Sequence, residues 1–401
     1  MVFSKKPLIA VALLFLAGLP LSAQKKQISE ARTYIKSGKD YDKAENLMTG
    51  LLKDTANRQN IRIYDIWFDA VKGQYEAANE KLYLKQKYDT AAFYNLIRRL
   101  QQVAISLDSL DMRPDKKGRI SPSYRKSHAE MLHSLRPNIY YGGTWHLRKN
   151  SFPSAFDFFD TYLDAARQPL FNDYRYEQTD SLLTTAAYWA TYCGYKMQDA
   201  DRIMKYCQRA QSDASKAAFC IQYEAVAYQL RQDTARYVET LHRGFERFPQ
   251  HPYFFPRLAD YYSANNQFDS VLTVADRGLQ ANQSNALFLM AKSVALLNLE
   301  RYDECIAASH QLIEVNDSLP EPYLNIATCY LNQALVLEQQ NEPRKNRQRL
   351  QELYQSARPF MESYRRMAPA DQQRWAPALY RIYFNLNLGK QFEEIDKLMR
   401  K

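Results

Sequence analysis

The sequence predicts an all-helical protein, built as an α-solenoid in which antiparallel helix pairs are stacked one after another. Glycine is scarce, with 11 in 401 residues, and no long stretch alternates apolar and polar residues between strand-like turns. The outline of the segment ERYDECIAAS, residues 300–309, recurs elsewhere in the chain as KDYDKAENLM, QKYDTAAFYN and NQFDSVLTVA. A recurring outline indicates repeated architecture rather than a single catalytic motif.

The composition supports a continuous core along most of the chain. Apolar residues make up 46% of the sequence and aromatic residues 13%, which is too much apolar surface for a disordered chain. A length of 401 residues suits either two or three ordinary domains or one elongated array of repeats.

The N-terminal residues 1–23 have the three parts of a secretory signal peptide. Two lysines precede an apolar run from Leu8 to Leu19, and a short polar exit ends at Ala23. We therefore expect cleavage after Ala23 and an exported protein, located in the periplasm or associated with the outer membrane of a Gram-negative bacterium. No later segment approaches 18 uninterrupted apolar residues, so we expect no transmembrane segment in the mature chain.

The chain is basic. Its formal charge of +10 falls to +8 on removal of the signal peptide, which takes away two lysines and no acid. A basic balance favours nucleic acid, anionic membranes or acidic proteins as partners. Because export separates the protein from nucleic acid, we expect no nucleic-acid partner.

The repeat has a constant period. Thr234, Phe268 and Tyr302 stand at the starts of equivalent helices and are equally spaced along the chain. Small residues such as Ser293 on a first helix and Cys305 on a second one let two helix axes approach closely. In this spacing, of about 34 residues, the chain resembles the tetratricopeptide repeat (TPR) family, specifically its exported bacterial members. This resemblance implies pairs of antiparallel helices in a right-handed superhelix that binds other proteins.

The repeat outline divides the chain into blocks. After the signal peptide, residues 24–103 form an N-terminal TPR-like block, and the polar segment 104–137 is expected to be a linker or long loop. Residues 138–401 form a second TPR-like array, with an insertion at about residues 332–350 that lengthens one helix and adds a basic loop.

No motif in the sequence supports catalysis. There is no phosphate-binding glycine loop and no GxSxG serine motif. The segment HAEMLH, residues 128–133, spaces its histidines five apart rather than the four that a zinc-protease helix requires. We therefore expect a protein that is not an enzyme and that uses no cofactor and no metal.

The resemblance also implies that the first helix of each pair lines a concave wall. The residues at these wall positions are mostly aromatic. Tyrosine and tryptophan supply rigid contact area with a polar tip, so an aromatic wall predicts a protein or peptide partner. The same rings also stack on sugars, so a glycan-binding envelope protein is the alternative function. The predicted groove residues are Tyr140, Tyr141, Trp189, Tyr192, Phe219, Tyr223, Tyr253, Arg257, Met290, Leu297 and Asn325.

The basic loop in the insertion is a candidate secondary contact for an acidic partner or a lipid headgroup. Its alternative is a solvated loop at a helix end, because charge runs usually serve solubility. The basic residues of this loop are Arg344, Lys345, Arg347 and Arg349.

Two further patterns leave alternatives open. The pairs Cys207 with Cys220 and Cys305 with Cys329 either form disulfides, which export permits, or fill positions where the repeat needs a small apolar residue. Seven Asp-Ser/Thr-apolar triplets resemble an O-glycosylation signal of exported proteins in some Gram-negative bacteria. Asp, Ser and Thr also favour turns and helix N-caps. The triplets begin at residues 54, 89, 108, 180, 233, 269 and 317.

Overall fold

The computed structural model describes residues 24–340 and 343–400, apart from the side chains of residues 343 and 344. Every regular element in these ranges is helical, which confirms the predicted all-α class. The predicted signal peptide, residues 1–23, lies outside the described residues. The chain divides into two compact units, with the boundary between Gln232 and Asp233.

Unit 1 ends at Gln232 and consists of adjacent antiparallel helix pairs. Within it α3 packs on α4, α5 on α6 and α8 on α9, and each pair also contacts the next one. Short 3₁₀ turns lie at Thr55–Asn57, Ala165–Arg167 and Pro169–Tyr174. The helices are α1 (24–37), α2 (Tyr41–Leu51), α3 (Ile61–Tyr83), α4 (Thr90–Asp111), α5 (Arg125–Arg148), α6 (Phe152–Asp164), α7 (Tyr176–Thr179), α8 (Leu183–Lys196), α9 (Ala200–Ala210) and α10 (Ala217–Leu230).

Unit 2 starts at Asp233 and repeats the same arrangement. In it α12 packs on α13, α14 on α15, α16 on α17 and α18 on α19, and successive pairs are again in contact. The helices are α11 (Thr234–Arg247), α12 (Phe254–Ala264), α13 (Phe268–Ala281), α14 (Ala286–Asn298), α15 (Tyr302–Val315), α16 (Glu321–Gln339), α17 (Pro343–Met367), α18 (Gln372–Asn385) and α19 (Gly389–Met399).

Helix α9 shows why these segments are helical. Its N-cap Asp199 accepts a hydrogen bond from the backbone N–H of Arg202 at 3.1 Å, which satisfies one of the free donors of the first turn. Its apolar side chains recur every three or four residues, so they form one buried stripe. The buried residues are Ile203, Tyr206, Cys207 and Ala210.

Several turns between successive helices contain a residue in the left-handed backbone conformation. Gln198, Gln232, Asn266 and Glu300 have φ between 54° and 59°, and they follow each other at equal intervals along the chain. The residue after Glu300, Arg301, donates its backbone N–H to the Leu296 carbonyl at 2.9 Å, which closes a Schellman motif. These turns mark the predicted period in the backbone itself.

Close approach between helices depends on small residues, as the sequence predicted. The Cys305 thiol donates to the Ser293 carbonyl at 3.1 Å, so the second helix of this pair contacts the backbone of the first. A Cβ on Gly244 would come within 2.3 Å of the buried Phe254 ring. The same relation recurs one repeat later between Gly278 and Phe288.

The boundaries of the predicted linker and insertion are corrected by the structure. Helix α4 runs to Asp111 and α5 starts at Arg125, so only residues 112–124 of the predicted linker 104–137 are non-helical. The helices continue because buried apolar residues such as Leu107 and Leu132 extend their inner faces. In the insertion, α17 starts at Pro343, so the predicted basic loop is the first part of a long helix.

Candidate functional site

The predicted groove residues of unit 1 make contacts between aromatic rings within α5 and within α8. Tyr140 and Tyr141 lie on α5, and their ring centroids are 6.1 Å apart. Trp189 and Tyr192 lie on α8 and meet edge to face at 6.0 Å. Burial raises the pKa of Tyr140, and the neighbouring Trp189 side chain partly opposes that shift.

Helix α10 contributes Tyr223 and Phe219, which have different environments. Tyr223 is buried between α8 and α10, stacked on the Tyr195 ring at 4.5 Å. Burial raises the pKa of the Tyr223 hydroxyl, and the neighbouring Tyr188 adds to that shift. The prediction that Tyr223 lines an open groove is therefore wrong, because its ring fills the space between two helices. Phe219 lies one helical turn earlier and is exposed.

We call the accessible part of this region the aromatic surface and define it as Tyr140, Tyr141, Trp189, Tyr192 and Phe219. Tyr141 is 54% exposed and Phe219 is 43% exposed, whereas the other three rings are half-buried. The sequence places Trp189 and Tyr192 three residues apart, so they share one face of α8. The buried Tyr223 supports this face from beneath, with its ring centroid 6.2 Å from that of Tyr192.

The predicted groove residues of unit 2 do not form a comparable surface. Tyr253 is buried, and the guanidinium of Arg257 lies 3.7 Å from the centroid of its ring. Arg257 also donates to the Tyr253 carbonyl at 3.2 Å. Met290 and Leu297 are half-buried on α14.

Asn325 needs a separate correction, because it is not a wall residue. It is buried, and its side-chain amide donates to the Ser293 hydroxyl at 3.1 Å, which joins α16 to α14. The sequence placed Asn325 on the open face, but this position points to the neighbouring first helix. Arg257 and Asn325, the two residues that resembled a carboxylate clamp, are therefore both hydrogen-bonded within the chain.

The predicted basic contact lies at the start of α17. Lys345, Arg347 and Arg349 are exposed there, and the Arg349 guanidinium is 3.3 Å from the Glu352 carboxylate. The side chain of Arg344 lies outside the described residues. These cations therefore belong to a helical surface rather than to a loop.

A buried polar network surrounds Arg136, and no sequence motif signals it. The Arg136 guanidinium lies between the rings of Tyr162 and Tyr176, 3.8 and 3.9 Å from their centroids. It donates to the Asp180 carboxylate at 2.7 Å and to the Tyr162 carbonyl at 2.9 Å. The Tyr162 hydroxyl donates to the same carboxylate at 2.6 Å. The network attaches residues 165–182, the segment between α6 and α8, to α5.

Burial and hydrogen bonds shift the pKa values of the titratable groups in this network. Burial alone would raise the pKa of Asp180, but the hydrogen bonds from Tyr162 and Arg136 outweigh it and lower that pKa. Burial raises the pKa of Tyr176 to about 12. A cavity of about 330 Å³ beside the network is lined by His133, Pro137 and Thr179 among others. Every charged group in the network already has a partner within the chain, so the arrangement stabilises the fold.

The five cysteines are buried free thiols. The Cys207 thiol donates to the Cys220 carbonyl at 3.2 Å, so the two residues are in contact without a bond between their sulfur atoms. Burial raises the pKa of both Cys193 and Cys220 to about 12. Thiols with such a raised pKa are poor nucleophiles at neutral pH.

The acids of several Asp-Ser/Thr-apolar triplets have structural roles. Asp54, Asp89 and Asp233 each accept a hydrogen bond from a backbone N–H as N-caps. Asp108 and Asp180 instead form ion pairs with Arg125 and Arg136. Within the ranges that the structure describes, no group of three or more His, Cys, Asp or Glu side chains is arranged to hold a metal ion.

Comparison with known proteins gives fold-level likeness only. No protein-family model and no curated protein matches the sequence. Among solved structures, the chain is similar to the C-terminal part of a TPR repeat-containing protein from Cytophaga hutchinsonii, with 12% identity and a TM-score of 0.43. That match covers 64% of this chain and 93% of the other.

Two further solved structures are similar at lower scores. The TPR2AB domain of yeast Sti1, solved in complex with pHSP90, has 12% identity and a TM-score of 0.27, covering 78% of this chain and 97% of its own. The P58(IPK) TPR domain has 11% identity and a TM-score of 0.27, and the match covers 94% of this chain and 99% of that domain. TM-scores this low carry no argument about function. The helix pairs, with left-handed turns equally spaced from Gln198 to Glu300, give the described residues an all-helical fold of stacked antiparallel pairs, as predicted from the sequence.

Proposed function

We propose that this protein is a non-catalytic scaffold that binds a protein or peptide partner through the aromatic surface of unit 1. The observation that carries the proposal is the exposure of Tyr141 and Phe219 beside rings that are held in place. Tyr140 packs edge to face on Tyr141, and Trp189 packs edge to face on Tyr192. A partner that covers the two exposed rings gains apolar contact at little cost in ordering them.

The chemistry of the surface favours an apolar or aromatic segment of the partner. Aromatic residues are enriched where binding energy concentrates in protein interfaces, because they combine a large contact area with few rotatable bonds. A carboxylate clamp would need free polar side chains, whereas Arg257 is bonded to the Tyr253 carbonyl and Asn325 to Ser293. An acidic chain end is therefore the less suitable ligand.

We propose further that the scaffold acts in the cell envelope of a Gram-negative bacterium. The support for this part is the signal-peptide pattern of residues 1–23, in which lysines precede a short apolar run. In residues 24–340 and 343–400, no helix has both the length and the apolarity needed to cross a membrane. Fractionation of cells that express the chain, followed by mass determination of its N-terminus, tests both the location and the cleavage after Ala23.

Photo-crosslinking in the native envelope tests the aromatic surface directly. A photoreactive phenylalanine is placed at Tyr141 or at Phe219, and crosslinked peptides are mapped on any protein that is recovered. We expect both positions to crosslink the same segment of one partner. The double variant Tyr141→Ser with Phe219→Ser should lose at least 10-fold in affinity, which corresponds to about 1.4 kcal/mol.

Ile120 and Leu230 provide matched controls in the same unit. They are 54% and 40% exposed and lie outside the aromatic surface. The photoreactive residue at these positions should not recover the partner segment, and Ile120→Ser with Leu230→Ser should bind normally. Recovery of the same proteins from all four positions would show nonspecific capture and would contradict the proposal. No feature of the described residues favours the glycan-binding alternative, and we do not propose it.

A further inference from the structure

The end of α3 carries the most exposed large apolar residue of the described chain. Tyr83 is 85% exposed, and its neighbours Leu82 and Leu84 are 38% and 53% exposed. All residues from 79 to 87 are exposed, so the helix end projects beyond its neighbours. We call residues 81–87 the α3 tip. Three consecutive large apolar side chains at an exposed helix end are unfavourable in water unless something covers them.

Lysines flank these apolar residues on both sides. Lys81 precedes them, and Lys85 and Lys87 follow, whereas the nearest acids in sequence are Glu80 and Asp89. All three lysines are exposed. Among the described residues, no carboxylate is close enough to form an ion pair with any of the three. The tip therefore combines an apolar centre with a cationic rim.

The backbone of the tip is fixed by hydrogen bonds. Lys85 has φ of 54° and donates to the Leu82 carbonyl at 3.1 Å. The next residue, Gln86, donates to the Lys81 carbonyl at 2.9 Å, which completes a Schellman motif. In this motif the residue in the place of Gln86 frequently adds an apolar contact back onto the helix. Glutamine adds none, so the apolar side chains stay uncovered in a defined arrangement.

We infer that the α3 tip docks on an anionic lipid bilayer. Leucine and tyrosine side chains enter the boundary between headgroups and acyl chains, where tyrosine keeps its hydroxyl hydrated. The three lysines then reach the lipid phosphates with their ammonium groups. Complementary charge and an apolar centre thus act on the same surface.

A protein partner fits this surface less well. Protein interfaces are depleted in lysine and place their main contacts in pockets. The tip is the protruding end of a helix, and its lysine rim surrounds apolar residues with no wall beside them. The inference is independent of the aromatic surface, because the tip belongs to α3 whereas that surface belongs to α5, α8 and α10.

An environment-sensitive fluorophore at the tip provides the test. The native cysteines are buried, so Tyr83→Cys creates one accessible thiol for labelling with NBD. With vesicles of phosphatidylcholine containing phosphatidylglycerol, we expect a blue-shifted and stronger NBD emission. Vesicles of phosphatidylcholine alone should have a much smaller effect. The same label at Ile120→Cys, also an exposed apolar position, should not respond, which separates insertion of the tip from any binding through the N-terminal segment.

Charge variants test the lysine rim in the otherwise native chain. Replacement of Lys81, Lys85 and Lys87 by Gln should lower the partition coefficient onto anionic vesicles by about 100-fold at low salt. The control replaces three other exposed lysines of unit 1, and it should bind as the native chain does: Lys116, Lys117 and Lys126.

Three results would overturn the inference. One is an NBD signal at position 83 that does not change with anionic vesicles. Another is an equal response at position 120. The third is equal binding by the two lysine variants. A photoreactive residue at position 83 that crosslinks a protein, without any response to vesicles, would instead assign the tip to a protein partner.

Discussion

Glycines set how closely neighbouring helices of the repeat approach each other. Gly244 on α11 faces the Phe254 ring at the start of α12, and Gly278 on α13 faces Phe288 on α14. Both rings are almost fully buried, so neither can move aside cheaply. Any side chain at these positions must displace a packed ring, which strains the interior.

Substitution of Gly244 by Ala should therefore destabilise the protein. We expect Gly244→Ala to lower the free energy of unfolding by about 1–3 kcal/mol, because the new methyl overlaps Phe254. Gly50→Ala is the matched control, since nothing lies within 4 Å of a Cβ at that helical position. It should stabilise by about 0.5–1 kcal/mol through helix propensity. Urea unfolding of both variants measures the two effects, and a stable Gly244→Ala variant would contradict the packing argument.

The Arg136 network offers a second test at the scale of single residues. Arg136→Met leaves the Asp180 carboxylate buried without its cation, and we expect a loss of about 3–5 kcal/mol. The exposed Arg119, which pairs with Asp115 at 3.1 Å, is the control, and Arg119→Ala should leave the melting temperature unchanged. Equal effects of the two substitutions in thermal unfolding would show that the buried ion pair contributes no more to stability than the exposed one.

At the scale of the elements, the left-handed turns are the feature that the sequence did not reveal. Glycine is the usual residue in such a turn, but Gln198, Asn266 and Glu300 occupy it here. Non-glycine residues in this conformation carry a cost of about 1 kcal/mol, smaller for asparagine. The tertiary packing of the helix pairs imposes these turns against local preference.

Glycine at such a turn should relieve this strain. We expect Glu300→Gly to raise the free energy of unfolding by up to about 1 kcal/mol. Asn266→Gly should gain less, because asparagine already tolerates the conformation. Glu300→Val should be destabilising, because a β-branched side chain is disfavoured there. Chemical unfolding of the three variants gives the order directly, and a destabilised Glu300→Gly would exclude backbone strain at this turn.

The sequence predicted the pairing of helices better than their ends or their accessible faces. The positions of Thr234, Phe268 and Tyr302 revealed the period because they open helices that pack in equivalent ways. The ends of α4 and α5 were missed because polar and proline-containing composition suggested a loop. The face of Asn325 was missed because a shift of one residue on a helix, about 100°, separates an open position from one that meets the next helix.

At the scale of the whole molecule, buried and half-buried histidines make stability depend on pH. Burial is the main cause of a lowered pKa at four of them, and at His146 the nearby Arg98 adds to it. When the pH falls below about 6.5, the unfolded chain binds protons that the folded chain does not. The stabilising contribution of neutral histidine is thus present above this pH and is lost as the pH falls. The four residues are His128, His146, His242 and His251.

Acidification should accordingly lower the free energy of unfolding. We expect a smaller value at about pH 5.5 than at about pH 7.5 in urea titrations. His146→Phe keeps a ring against Phe158, which His146 stacks on at 5.2 Å, and should reduce the pH-dependent loss. Asp65 and Asp69 act in the opposite direction, because burial raises the pKa of both carboxyls. If the His146→Phe variant kept the native pH dependence of stability, His146 would not contribute to that dependence.

The equal spacing of the left-handed turns also affects how the length of such a chain can change during evolution. The stretch from residue 198 to residue 300 is divided at residues 232 and 266 into segments of one length. Each segment starts and ends at the same point of the backbone turn. Recombination that adds or deletes one such segment joins one helix to the next without shifting any pair out of phase. Lineages can then differ in length by whole segments while their side chains diverge. A search for relatives of this chain should therefore compare the spacing of these turns rather than residue identity.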